Sequence, residues 1–191
     1  MRNSEPSLAQ LQSAYAMLGT APQEAIIALQ ALAEKGSALA PLYLGWAAQE
    51  GNGTVKDVLK AEYWFKIAIE REEETSAYYL GHLYLALGRH EDSNWAFEKG
   101  SNWGHSPATY CLAMNIIDGK AESQSLERAR GLLEVASNQG HAFARRALAS
   151  LYMSGQFGIL KIPQGLWLLL QAIVGGGIAA FRGRNDDRLR A

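Results

Sequence analysis

The stretch LYLGWAAQEGNGTVKDVLKAEYWFKIAI, residues 42–69, holds two apolar segments separated by Gly51-Asn52-Gly53 and Asp57, and its spacing decides the fold. Sliding the chain against itself finds the pattern again. Leu44-Gly45, Leu80-Gly81, Leu112-Ala113 and Leu148-Ala149 are equivalent pairs, with their leucines 36, 32 and 36 residues apart. A small residue stands four before each leucine (Ala40, Ser76, Ala108, Ala144), and Ala48, Tyr84, Ile116 and Tyr152 stand four after. That is the spacing of one helical face. Further on, Ala61, Ser93, Ala129 and Gly165 are followed three and four residues later by Trp64-Phe65, Ala96-Phe97, Leu132-Leu133 and Leu168-Leu169, which marks a second helix. Another small residue follows at Ala68, Gly100, Ala136 and Ala172, while Gly104-His105 and Gly140-His141 open new units.

Each unit is therefore a helical hairpin. The step from leucine to the second-helix small residue is 17, 13, 17 and 17 residues, whereas the step on to the next leucine stays at 19. Four residues are missing from one turn inside a hairpin, and the stacking register survives. Gly51, Gly119 and Gly155 sit seven residues past their leucines, where glycine supplies the positive φ of a helix end.

These residues resemble the Sel-1-like repeat, a longer-turn relative of the tetratricopeptide repeat. Leu44-Gly45, Gly51-Asn52-Gly53, Asp57, Lys60-Ala61, Trp64-Phe65-Lys66 and Ala68 fall on that family's pattern, with Ala48 in place of its usual tyrosine. The unit from Ser76 to Gly104 looks like a short-turn tetratricopeptide hairpin, and Leu8 to Gly36 like a degenerate unit in which Ala14-Tyr15, Ala25, Ala28, Leu29 and Leu32 keep helical spacing. The resemblance implies an all-α, right-handed solenoid in one repeat domain. Its units run over about 7–36, 37–72, 73–104, 105–140 and 141–176, with a cap and basic tail at 177–191. Single hairpins bury too little apolar surface to stand alone, so small residues at the stacking positions let neighbours close a continuous core.

Composition narrows the task. Eighteen basic and nineteen acidic side chains leave a net charge of -1, so no global field favours nucleic acid. One cysteine, Cys111, excludes an intramolecular disulfide framework and any cysteine-based metal cage, which fits a reducing, cytoplasmic setting. The opening residues lack a secretory apolar run. His82, His90, His105 and His141 show no HxxxH or HExxH spacing, and His105 and His141 repeat one period apart, as caps or inter-repeat hydrogen bonds would. Cys111, beside Leu112 on an apolar helix, reads as an inert thiol. Glu70, Glu72, Glu73 and Glu74 read as a solvated helix boundary, or as a contact for a basic peptide. Gly175-Gly176-Gly177 lacks the flanking strand and Lys-Ser/Thr pair of a phosphate loop and reads as a helix break. No cofactor, metal or catalytic residue is expected.

What remains is surface. In tetratricopeptide-like arrays the first helices line a concave face, and the positions −5, −2, +2 and +5 from each leucine project onto it. They are Leu39, Leu42, Trp46 and Gln49; Thr75, Tyr78, His82 and Leu85; Pro107, Tyr110, Met114 and Ile117; and Phe143, Arg146, Ser150 and Met153. The competing reading is that packing within the array buries them. The resemblance implies a non-catalytic adaptor that binds a peptide or helix of another protein, without naming the partner. An alternative is a membrane-associated assembly factor. Ile162 to Phe181 carries no charge and precedes Arg182, Arg184, Arg188 and Arg190, so residues 165–191 could make a peripheral membrane or homodimer contact. Against a membrane span stand Pro163, Gln164, Gln171 and the glycines. A hydrolase is the third reading, since similar bacterial repeat proteins are associated with β-lactam binding. Those proteins usually carry repeat-linking cysteine pairs, which one cysteine cannot supply.

Overall fold

The computed structural model describes residues 8–121, 125–171 and 173, and among these it is helix joined by turns and short irregular segments, with no strand. The helices are α1 (Leu8–Met17), α2 (Pro22–Glu34), α3 (Leu39–Glu50), α4 (Val58–Glu70), α5 (Glu74–Ala86), α6 (His90–Asn102), α7 (Ser106–Ile117), α8 (Leu126–Asn138) and α9 (Ala142–Met153). A 3-10 turn, Ile159–Lys161, leads into a tenth helix, α10, over 162–171. The helix break expected at Gly175-Gly176-Gly177 and the basic tail beyond it lie outside the described residues. The turn between α5 and α6 holds only Leu87, Gly88 and Arg89, against seven residues between α3 and α4. This is where the four-residue contraction falls.

First helices begin by one recurring device. A side-chain acceptor three residues before the small residue takes that residue's N–H: Ser37 Oγ from Ala40 (3.0 Å), Glu73 Oε2 from Ser76 (2.6 Å), His105 Nδ1 from Ala108 (3.2 Å) and His141 Nδ1 from Ala144 (3.1 Å). Each satisfies one of the orphan donors of a helix start. Glu73 is thus a cap, and its Oε2 also accepts the Ser76 hydroxyl at 2.9 Å. Second helices α4 and α8 are capped by Asp57 and Ser125.

The turn between hairpins needs one residue in the left-handed region. Gly36, Gly104 and Gly140 take it at φ 92°, 86° and 91°, whereas the equivalent position in the acidic run is Glu72 at φ 61°. A side chain there strains the backbone by roughly 1 kcal/mol. Glu72→Gly is therefore expected to raise the unfolding free energy by about 1 kcal/mol, read as a higher urea midpoint at unchanged slope; a lower midpoint would mean that the side chain holds the turn.

The chain divides into two compact units, residues 1–108 and 109–191, the cut falling inside α7. In the first, each helix from α1 to α6 packs on the next, and first helices also meet, α1 on α3 and α3 on α5. Leu11, Ala25, Leu29, Ala40 and Leu44 form one core cluster, and Ala61, Phe65, Ala68, Leu80 and Tyr84 another. In the second unit Ala113, Leu133, Ala136, Ala144, Leu148 and Tyr152 close a third. The small residues are where helices touch. A Cβ added to Gly45 would come 2.5 Å from Phe65 Cδ1, and one on Gly81 would run into the Phe97 ring; on Gly165 it would meet the Ala149 carbonyl at 2.8 Å. A compensation runs through the repeats. Gly45 and Gly81 belong to hairpins whose second helix carries Phe65 and Phe97, while Ala113 and Ala149 belong to hairpins carrying Leu133 and Leu169.

Candidate functional site

The residues projected onto the first-helix face divide into closed and open. Leu42 is not available to a partner: it is 7% exposed and sits in the core with Phe65 and Leu83, because α4 and α5 close over that side of α3. Leu39 and Trp46 are half-buried, Leu39 against both core clusters of the first unit and Trp46 against the one built around α1 and α2. Gln49 is half-buried, and its Oε1 is closed off without a hydrogen-bond partner. The first full repeat thus turns much of its projected face into packing.

Further along, the face opens. In the first unit Thr75, Tyr78, Leu85 and Pro107 are half-buried and His82 is exposed. Tyr78 packs edge-on to His82 at 4.5 Å between ring centroids and lies 5.6 Å from His105, while His82 meets Phe97 edge-on at 5.3 Å. The desolvation this crowding brings holds the His82 imidazole below its ordinary pKa.

The second unit repeats the arrangement with fewer neighbours. Tyr110 stacks on His141 at 4.9 Å and stands 6.4 Å from Phe143, and His141 lies 6.0 Å from Phe143. Burial holds His141 below its ordinary pKa, which suits a ring whose Nδ1 must accept a backbone N–H. Burial also raises the Tyr110 phenol. Met114 and Ile117 are half-buried beside Tyr110 on α7, and on α9 Phe143, Arg146, Ser150 and Met153 are all exposed, Phe143 at 62%. The result is a shelf of aromatic, thioether and aliphatic groups with one guanidinium, suited to apolar side chains and a carbonyl or carboxylate.

His141 is the member of this shelf that spacing alone assigns only to structure; its ring serves as cap and stacking partner at once. A second feature was not signalled by the first-helix pattern. Tyr63, Trp95 and Trp167, each two residues past the second-helix small residue, are exposed, and Trp95 and Trp103 wall a cleft of about 340 Å³ with Lys66, Ile69, Glu70 and Lys99. An aromatic residue recurring at a position the core does not need was the available signal.

For chemistry the side chains offer little. Burial pushes the Cys111 thiol up to about 12, so it holds its proton at neutral pH. Among the described residues no three His, Cys, Asp or Glu side chains gather as metal ligands, and no helix is long and apolar enough to cross a membrane.

Hairpins stacked through small residues define the class, a helical-repeat solenoid. Comparison with known proteins narrows it. A protective antigen of uropathogenic Escherichia coli displaying an SLR fold superposes with a TM-score of 0.79 at 22% identity, covering 90% of this chain and 39% of that one. A Sel1 repeat protein from Oxalobacter formigenes superposes with a TM-score of 0.75 at 20% identity, covering 90% of this chain and 74% of that one. A sel1-like repeat-containing protein of Acanthamoeba polyphaga mimivirus is 25% identical over 114 residues, 60% of this chain and 21% of its own length. No family model matches. The chain thus spans about two fifths of the Escherichia coli protein, and its match covers about a fifth of the viral one. The fold is that of the Sel1-like repeat solenoids.

Proposed function

We propose that the chain is a non-catalytic interaction scaffold whose first-helix shelf in the second unit, Tyr110, Met114, Ile117, Phe143, Arg146 and Met153, holds a peptide or helix of a partner protein; Tyr78, His82 and Leu85 form the corresponding patch of the first unit. The observation that carries this reading is the Tyr110–His141–Phe143 ring cluster, with Phe143 62% exposed on a helix whose core needs are met by Ala144, Leu148 and Tyr152. Aromatic side chains with spare exposed surface are the common anchors of protein interfaces. Near-neutral charge favours a protein over a nucleic acid, and a cytoplasmic setting suits the lone reduced cysteine.

The test is quantitative capture of proteins from the source lysate by the wild type and by Phe143→Glu, a variant at a 62% exposed site whose helical circular dichroism is first matched to the wild type. Loss of a specific partner is expected, equivalent to roughly a 30-fold weakening for a removed anchor of about 2 kcal/mol. Equal capture by the two proteins would overturn this assignment of the shelf.

A further inference from the structure

The two compact units differ in charge. Residues 1–108 carry thirteen acidic and eight basic side chains, whereas residues 109–191 carry six acidic and ten basic. The near-neutral chain is thus the sum of a negative unit at -5 and a positive one at +4. Such asymmetry between halves points to a charged partner for one of them. In the second unit the described acids are already engaged or stand at a helix start. Asp118 is closed by Lys120 Nζ at 3.0 Å, Glu134 by Arg130 Nη1 and the Tyr152 hydroxyl, both at 2.6 Å, and Glu127 lies in the first turn of α8. From α9 onward the described residues include Arg145, Arg146 and Lys161 and no acid.

Arg146 is the cation set into the shelf. It is exposed, and among the described residues its guanidinium makes no ion pair or hydrogen bond. Its charge reaches the Tyr110 phenol, where burial still holds the pKa above its ordinary value. The Tyr110 hydroxyl, unpaired among the described residues, is therefore a second donor beside it. Two donors, one of them a guanidinium, suit a carboxylate, which that planar group pairs with strongly. Position decides what carries the carboxylate. Phe143 lies about one turn before Arg146 on α9 and Met153 two turns after it, both exposed, so apolar surface continues on either side of the charge. A chain end would meet its cation at a rim; a cation in mid-shelf fits a side chain within a continuing segment. Resting on the shelf reading above, we propose that the partner segment is acidic, with a Glu or Asp for Arg146 placed between two large apolar residues, one toward Phe143 and Tyr110 and the other toward Met153.

A random peptide library displayed on phage and selected on the full chain supplies the probe. The wild type is expected to enrich peptides with an acidic residue between large apolar ones, and Arg146→Gln, at matched helical circular dichroism, to enrich the apolar residues without the acid. The best peptide, made with Glu and with Gln at the central position, should then differ about tenfold in affinity on the wild type and less than about twofold on Arg146→Gln. Enrichment that Phe143→Glu abolishes but that shows no acid preference, or one that Arg146→Gln leaves unchanged, overturns this inference and leaves the shelf reading standing; no enrichment on the wild type overturns both. Acidic peptides enriched only on Glu122→Gln/Asp186→Asn/Asp187→Asn would make the chain's own acids the occupant. A wild type that sediments as two chains and an Arg146→Gln that sediments as one would give that place to the negative unit of a second copy, and either result overturns the proposal.

Discussion

Gly81→Ala is expected to lower the unfolding free energy by about 2 kcal/mol, although the same change in an open helix would raise it by about 0.5–1 kcal/mol. The reversal comes from contact. A Cβ on Gly81 falls within the Phe97 ring, and Phe97 is 0% exposed, so the ring has nowhere to retreat. Overpacking of this kind costs roughly 1–3 kcal/mol. Phe97→Leu alone removes ring contacts from a closed core and should cost about 1–2 kcal/mol. The double variant recreates the Ala113 and Leu133 combination that the second unit already uses, and is expected to recover most of both losses, a coupling of about 2 kcal/mol. Urea unfolding of the four proteins at matched slopes measures it. Additive losses would show that the two residues do not share the contact and that the repeat-to-repeat compensation has another origin.

That compensation also shows why the fold was legible. Leu44, Leu80, Leu112 and Leu148 are at most 3% exposed, and Ala61, Ser93 and Ala129 are fully closed, since stacking forces the same small and large volumes to recur in each hairpin. Repetition turns packing into a sequence signal. Less visible was the swap of cap chemistry from serine through glutamate to histidine, since any acceptor of suitable reach satisfies the same N–H.

The site was legible only in part. Counting from the leucine picks out first-helix positions, but whether such a position is open depends on the neighbouring helices. The same −2 offset yields Leu42, shut into the core, Tyr78 and Tyr110, half-buried in ring clusters, and Arg146, exposed. Helix periodicity fixes direction along one element; burial is decided by the volume of side chains distant in sequence, as when Trp46 packs toward the α1 and α2 cluster. The exposed aromatics of the second helices went unread for a related reason: a tryptophan two residues past a small residue has the look of core until the packing shows its outer side in water.

Glu62→Ala is expected to cost about 2–3 kcal/mol, more than a partly exposed carboxylate normally contributes. Glu62 of α4 fastens the following hairpin: its Oε1 accepts the Tyr84 hydroxyl of α5 at 2.9 Å and Lys66 Nζ at 2.7 Å, and its Oε2 accepts Arg89 Nη1 at 3.0 Å. The Arg89 guanidinium also lies 4.2 Å over the Tyr84 ring. Tyr84 is 2% exposed, so losing the carboxylate takes the acceptor from a phenol hydroxyl at the edge of a closed core. The order of single variants separates hydroxyl from charge. Tyr84→Phe removes donor and need together and should cost about 1 kcal/mol, while Lys66→Ala, at a side chain 49% exposed, should cost at most about 0.5 kcal/mol. Acid sharpens the test. Burial alone would raise the Glu62 carboxyl, but the hydrogen bonds from Lys66, Tyr84 and Arg89 outweigh it and hold the pKa below its ordinary 4.5. A folded-state pKa below the unfolded one means that this contribution is complete above about pH 4.5 and fades as pH falls through the lowered value. Thermal unfolding followed from neutral pH to below that point should therefore show a shallower acid limb for Tyr84→Phe than for the wild type. An unchanged limb, or a Lys66→Ala loss as large as that of Glu62→Ala, would assign the fastening to the ion pair, and the equivalent Tyr152 to Glu134 hydrogen bond in the second unit, 2.6 Å long with Arg130 on the same oxygen, would then have to be read the same way.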